Sequence, residues 1–179
     1  MNYKWNYEPL TQDEQDVAIQ LEADTGISLT TAQLLVRRGI TSAEAVQKFF
    51  RPQLHDLHDP FLMKDMDVAI NRLNEAMGRK EKILIYGDYD VDGCTAVALV
   101  YRFLQKFYSN LDFYIPDRYD EGYGVSKRGI DLAYEKGVSL IIVLDCGIKA
   151  IEEIRYAKEK GIDFIICDHH VQMKNCRRQ

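Results

Sequence analysis

Three apolar runs in this chain end on an aspartate, and that recurrence constrains the fold more than any other feature. Residues 82–87 (Lys-Ile-Leu-Ile-Tyr-Gly) lead into Asp88, residues 140–144 (Leu-Ile-Ile-Val-Leu) into Asp145, and residues 164–167 (Phe-Ile-Ile-Cys) into Asp168-His169-His170. Short, near-continuous runs of branched and aromatic side chains read as strands buried on both faces, the mark of a parallel sheet. With a further run at 112–116, strands are predicted over 82–87, 112–116, 139–145 and 162–167, alternating with helices over 94–108, 126–136 and 148–160. Gly137 and Gly161 sit where a helix ends on a left-handed residue. The expected fold is α/β: a parallel sheet with helices on both faces, preceded by a small helical N-terminal region. In such a sheet the C-terminal strand ends share one edge, so acids remote in sequence meet there.

Upstream of the sheet, Thr11-Gln12-Asp13-Glu14 and Thr41-Ser42-Ala43-Glu44 both have the capping-box form. Residues 11 to about 50 therefore read as short helices stopped by Gly26 and Gly39. Arg51-Pro52 through Asp59-Pro60 is a polar connector bounded by prolines, and Asp65 to Met77 places Met66, Ala69, Ile70, Leu73, Ala76 and Met77 on one helical face closed by Gly78. This divides the chain into a helical region over 1–63, an α/β domain over 64–170 and a tail over 171–179.

Carboxylates and imidazoles converging without thiolates suit hard divalent cations, and several of them suit two ions used in phosphoryl chemistry. Cys94, Cys146, Cys167 and Cys176 lack the paired close spacings of zinc sites and read as structural thiols that pack as small hydrophobes. Asp88, Asp90 and Asp92 recur with a period of two, so an extended segment would point all three the same way, and Gly87 and Gly93 bracket them. Asp145-Cys146-Gly147 repeats the arrangement, although an aspartate capping a helix accounts for it equally well. Asp168-His169-His170 offers one ligand, one phosphate or proton partner and a supporting carboxylate. His55 and His58 lie in the connector, away from any strand end, and are assigned no metal.

The loop at 117–126 (Asp-Arg-Tyr-Asp-Glu-Gly-Tyr-Gly-Val-Ser) follows the second strand. Its Arg118 can fork onto a phosphate, its glycines let backbone amides approach a ligand, and Ser126 can cap the next helix. A plain surface loop is an equally good reading of the same residues. The net charge of −5 argues against a protein that coats nucleic acid, but not against an enzyme acting on it. Two divalent cations would offset about four negative charges at the acidic edge. No apolar run approaches the roughly 20 residues of a membrane span, and Met1 to Trp5 opens no secretory signal pattern, so a cytoplasmic protein is expected.

Taken together, Gly87-Asp88-Tyr89-Asp90-Val91-Asp92-Gly93, Glu121-Gly122-Tyr123-Gly124, Asp145 and Asp168-His169-His170, in that order and spacing, resemble the DHH phosphoesterase superfamily. The Glu-Gly-Tyr-Gly loop favours its bacterial single-stranded-DNA-specific 5′ to 3′ exonucleases. Arg37 to Ile40, Phe49 to Pro52 and Asp59 to Leu62 also look like their N-terminal region. The resemblance implies metal ligation by Asp90, Asp92, Asp145 and His169, with two Mn²⁺ or Mg²⁺ ions in the intact enzyme. It implies catalytic roles for His170, Asp168 and Asp88, and contact with single-stranded DNA by Arg118, Tyr123 and Gly124. Tyr86 stands where many relatives carry a histidine.

The implied setting is DNA repair and recombination by a monomer, with single-stranded-DNA-binding protein and a helicase as protein partners and no membrane. An oligoribonuclease, cyclic-dinucleotide phosphodiesterase or pyrophosphatase of the superfamily, or a non-catalytic nucleic-acid-binding relative, is the alternative. Family members continue for several hundred residues, with another aspartate ligand and a closing domain. The chain is therefore expected to be a truncated or frameshifted form, or a fragment. Residues 171–179 are expected to be non-native, strand 162–167 to leave an exposed apolar edge, and the isolated chain not to be a competent nuclease.

Overall fold

A computed structural model describes residues 8–171; Met1 to Trp5, Cys176 and the tail at 172–179 lie outside the described residues. The chain divides between Leu62 and Met63 into two compact units.

The first unit holds three helices, α1 (Gln12–Thr25), α2 (Leu29–Val36) and α3 (Ala43–Phe50). Thr11 starts α1 with a reciprocal cap: Glu14 N donates to the Thr11 hydroxyl at 3.3 Å, and Thr11 N donates to the Glu14 carboxylate at 2.8 Å. Gly26 ends it at φ 72°. The second expected box forms differently, because α3 begins one residue later and Ser42, not Thr41, accepts from the Ala45 amide at 3.2 Å. Ala18, Leu21, Ala32, Leu35, Val36 and Val46 make the unit's core. The connector carries two 3₁₀ turns, Leu54–Asp56 and Pro60–Leu62, and both of its histidines are exposed.

The second unit runs α4 (Met66–Gly78), β1 (Lys82–Gly87), α5 (Val91–Leu104), β2 (Leu111–Tyr114), α6 (Lys127–Glu135), β3 (Val138–Leu144), α7 (Ile151–Glu159) and β4 (Asp163–Cys167). The strands form one parallel sheet in the order β2-β1-β3-β4. Side-chain alternation divides each strand between two cores. Ile83, Ile85, Leu140, Ile142 and Leu144 pack with Ala76 of α4 and Val97 and Leu104 of α5. Leu84, Tyr86, Ile141 and Val143 pack with Ile130 and Ala133 of α6 and Ala157 of α7. Helices thus cover both faces, which is why these strands read as continuous apolar runs. Each fully buried aliphatic side chain contributes roughly 1.5–3 kcal/mol relative to exposure.

Two expectations for α4 are corrected. Gly78 is the last helical residue and not the stop; Lys80, at φ 57°, takes the left-handed position. Only its C-terminal half faces the core, through Leu73, Ala76 and Met77, while Met66 and Ala69 line an open groove and Ile70 is exposed. Gly137 at φ 71° and Gly161 at φ 74° follow α6 and α7. Among the described residues, no helix is long and apolar enough to cross a membrane.

Candidate metal centre

The register of the sheet aligns the strand ends. Gly87 pairs with Leu144, and Leu144 with Cys167, so the next residues, Asp88, Asp145 and Asp168, leave three adjacent strands side by side. Neighbouring strands lie about 4.8 Å apart, close enough for their carboxylates to feel one another. Asp145 takes φ 62°, a left-handed conformation that aspartate tolerates better than most side chains. Its amide still donates to Cys167 O at 2.9 Å, extending the β3–β4 ladder by one bond.

Asp168 is the anchor of the triplet, its side chain only 1 % exposed. It accepts from Ile148 N at 2.9 Å, from His170 N at 2.9 Å and from His170 Nδ1 at 2.7 Å. Burial pushes its carboxyl pKa up, but these hydrogen bonds outweigh burial and hold it below the ordinary value. An ionised Asp168 can only accept, so Nδ1 of His170 donates to it and Nε2 is left facing away from that carboxylate. The Tyr123 hydroxyl lies 3.3 Å from that Nε2 and 3.4 Å from Asp145 O. Burial, then Asp88, Cys146 and Asp145, push the Tyr123 hydroxyl up to about 12, so it stays a proton donor. His169 Nε2 stands 3.0 Å from Asp145 Oδ1. The ligand atoms of Asp145, His169 and His170 lie within 4.8 Å of one another.

Asp88 is fully buried, with Oδ1 3.5 Å from Gly124 N and Oδ2 without a hydrogen-bond partner among the described residues. A buried carboxylate oxygen left unpaired is costly unless positive charge lies near it. The converging carboxylate and imidazole donors of Asp145, His169 and His170 fit a hard divalent cation. Thiolate does not compete: burial first, then Asp88, Asp168 and Asp145, push the Cys146 thiol up to about 12. Cys94 is half-buried, whereas Cys167, expected to pack, is exposed at the end of the edge strand.

The period-two expectation for the aspartate-rich segment fails. The chain turns from strand into helix within it, and α5 starts at Val91 instead of 94. Asp88 is therefore enclosed, Asp90 caps α5 by accepting from Gly93 N at 2.9 Å, and Asp92 is exposed in the first turn of α5. Neither Asp90 nor Asp92 belongs to the group within 4.8 Å. Asp92 shares with Asp145, Asp168 and His169 a groove of about 1450 Å³; Tyr123, Gly124, Asp168 and His170 share an adjoining cavity of about 300 Å³.

The loop before α6 is organised by Tyr86, Glu121 and the expected cap residue Ser126. The Tyr86 hydroxyl donates to Gly124 O at 2.9 Å and accepts from Ser126 N at 3.1 Å. Glu121 accepts from Tyr114 OH at 2.7 Å, Asp117 N at 3.0 Å and Ser126 Oγ at 2.5 Å. Ser126 caps α6, accepting from Gly129 N at 2.9 Å. Arg118 is exposed, its guanidinium 5.3 Å from the centre of the Tyr89 ring. A tyrosine inside a buried run was the available signal, because its hydroxyl must find a partner.

A family model described as the DHH family, N-terminal domain, matches residues 82–179. The single-stranded-DNA-specific exonuclease RecJ of Bacillus subtilis is 44 % identical over 161 residues, covering 90 % of this chain and 20 % of that protein. A crystal structure of RecJ in complex with Mn²⁺ from Thermus thermophilus superposes with a TM-score of 0.66 at 25 % identity, over 89 % of this chain and 22 % of that one. A crystal structure of exonuclease RecJ bound to manganese gives a TM-score of 0.58 at 34 % identity, over 63 % of this chain and 29 % of that one. The chain spans about a fifth of the length of the curated Bacillus relative.

Proposed function

The chain belongs to the DHH family, and from that premise we propose that it is the metal-binding part of a 5′ to 3′ exonuclease that hydrolyses phosphodiester bonds of single-stranded DNA with Mn²⁺ or Mg²⁺. The observation that carries this reading is the alignment of three strand-end carboxylates with His169 and His170, the ligand atoms of Asp145 and both histidines lying within 4.8 Å. The RecJ relatives act on single-stranded DNA by name, and two of their structures hold Mn²⁺.

In this reading Asp90, Asp92, Asp145 and His169 hold the cation. A divalent ion supplies charge neutralisation at the phosphate and acidifies a water molecule. Asp168 fixes His170 through Nδ1, and His170 orients the scissile phosphate. Arg118 provides a planar fork for a neighbouring phosphate, and Tyr123 and Gly124 border the cavity that His170 lines. The reading extends to repair and recombination in the cytoplasm by a monomer, with single-stranded-DNA-binding protein and a helicase as partners.

Calorimetric titration of Mn²⁺ into the purified chain and into Asp145→Asn tests the core of the proposal. Binding by the wild type that disappears in the folded variant is the expected result. Equal binding by both would overturn it.

A further inference from the structure

Two buried side chains of the aspartate-rich strand end reach the same residue, Gly124, of a loop 36 to 38 positions away. Asp88 Oδ1 receives the Gly124 amide and the Tyr86 hydroxyl donates to the Gly124 carbonyl. The Tyr86 ring is fully buried in the core. Gly129 makes room for it, since a Cβ there would come within 2.8 Å of the ring. Phenylalanine would fill that core space equally well, so packing alone does not call for the hydroxyl. Both of its hydrogen bonds go to the loop, one to Gly124 and one to Ser126. Burial pushes it up to about 12, so it remains a donor throughout the working pH range.

The clamped residue follows Tyr123 directly. Gly122 and Gly124 both sit at positive φ, 79° and 84°, so the turn that projects Tyr123 is built from conformations most side chains resist. Glu121 ties down the other flank through Tyr114, Asp117 and Ser126. Tyr123 itself is more than half exposed and would wander over many rotamers if its backbone were loose.

We propose that Tyr86 and Asp88 are positioning residues that hold Gly124 at both ends, Asp88 at its N–H and Tyr86 at its C=O, and so set Tyr123 against His170 before substrate arrives. The loop then meets a single strand already ordered, and little of the binding energy goes into freezing it. The substrate half of this inference rests on the function proposed above; the grip on the loop does not.

Amide exchange of residues 118–127, Mn²⁺ binding and binding of a single-stranded oligonucleotide in Mn²⁺ test it together. Tyr86→Phe removes only the hydroxyl, and exchange at Gly124 and Ser126 should speed up about tenfold, the equivalent of one hydrogen bond. Mn²⁺ affinity should stay at the wild-type level. Oligonucleotide binding should weaken severalfold, and Tyr86→Phe combined with Tyr123→Ala should bind no worse than Tyr123→Ala alone, because the first change acts through the second residue.

Asp88→Asn keeps an oxygen acceptor for the Gly124 amide and should preserve slow exchange, whereas Asp88→Ala should not. That pair keeps the test open should Tyr86→Phe fail to fold. Unchanged exchange at Gly124 in Tyr86→Phe and Asp88→Ala, or losses in oligonucleotide binding that add in the double variant, would overturn the proposal. Faster exchange combined with wild-type oligonucleotide binding by Tyr123→Ala would uphold the positioning and overturn the substrate reading.

Discussion

Asp168 Oδ1 receives two hydrogen bonds from His170, one from the backbone amide at 2.9 Å and one from Nδ1 at 2.7 Å, while Oδ2 receives Ile148 N at 2.9 Å. One carboxylate therefore fixes both the start of the β3–α7 turn and the orientation of the imidazole. Asp168→Ala strips all three donors of their acceptor and should lower the unfolding free energy by at least about 1.5–3 kcal/mol, the range for a single hydrogen bond to a charged group. It should also weaken Mn²⁺ binding by about 10–100-fold, as loss of supporting partners does at metal sites. Equilibrium denaturation and calorimetry measure the two effects. A variant with wild-type stability and wild-type Mn²⁺ affinity would refute this role.

The left-handed backbone at Asp145, φ 62°, separates stability from ligation. Glycine adopts that conformation freely, whereas alanine pays about 1 kcal/mol for it. Asp145→Gly should therefore be about 1 kcal/mol more stable than Asp145→Ala, although both lose the carboxylate and with it divalent-cation binding. Thermal melting with and without Mn²⁺ distinguishes them: the metal-dependent rise in melting temperature should vanish in both. Persistence of that rise in either variant would remove Asp145 from the ligand set.

What the sequence makes legible here follows from what its residues can do alone. Continuous apolar runs are forced by burial on two faces, so β1, β3 and β4 were readable, and Gly137 and Gly161 marked helix ends because their φ values suit glycine. Their parallel pairing is enough to bring Asp145 beside the Asp168-to-His170 triplet. Asp88, Asp90 and Asp92 misled because a period of two holds only in extended backbone, and Gly93 N turning onto Asp90 Oδ1 starts a helix inside the segment. Tyr86 and Glu121 were missed as organisers because their partners lie in a loop whose path depends on the finished sheet.

Gly93 shows how closely that helix start approaches the strand end. A Cβ at this position would lie 2.4 Å from Asp88 O and 2.6 Å from Asp88 N, contacts with backbone that cannot swing aside. Gly93→Ala should destabilise the chain by at least about 1–3 kcal/mol, the usual cost of overpacking. Gly78→Ala is the control: no atom lies within 4 Å of its Cβ position and the residue is helical, so stability should rise by up to about 1 kcal/mol. Matched chemical denaturation curves measure both, and a Gly93→Ala chain as stable as the wild type would contradict the close approach.

Glu121 gives the loop a pH dependence of known sign. Burial pushes its carboxyl up, but hydrogen bonds from Asp117 N, Ser126 Oγ and Tyr114 OH outweigh burial and leave its pKa below the ordinary glutamate value. A depressed folded-state pKa contributes stability that is fully present above the unfolded value of about 4.3 and is lost as pH falls through the lower folded value. The melting-temperature gap between wild type and Glu121→Gln should stay constant from pH 7 to about 5 and close below about 4. A gap that persists undiminished at pH 3 would rule out ionisation of Glu121 as its source.

Arg118 lies over the Tyr89 ring at 5.3 Å and is otherwise exposed, a geometry that leaves the edges of its guanidinium open to a phosphate. Its replacement distinguishes charge from shape. Arg118→Lys keeps the charge and loses the planar fork, so single-stranded oligonucleotide binding should weaken while its dependence on salt keeps the same slope. Arg118→Gln loses one phosphate contact, and the slope of log K against log salt should become shallower by about 0.7, the value per contact on single strands. Neither change should move the melting temperature by more than about 4 °C, because exposed cation–π pairs are worth only about 0.5–1 kcal/mol. Fluorescence anisotropy over a salt series supplies the slopes. An Arg118→Gln chain with an unaltered slope would show that Arg118 touches no phosphate, and a large fall in melting temperature with binding intact would make it a structural residue that steadies Tyr89.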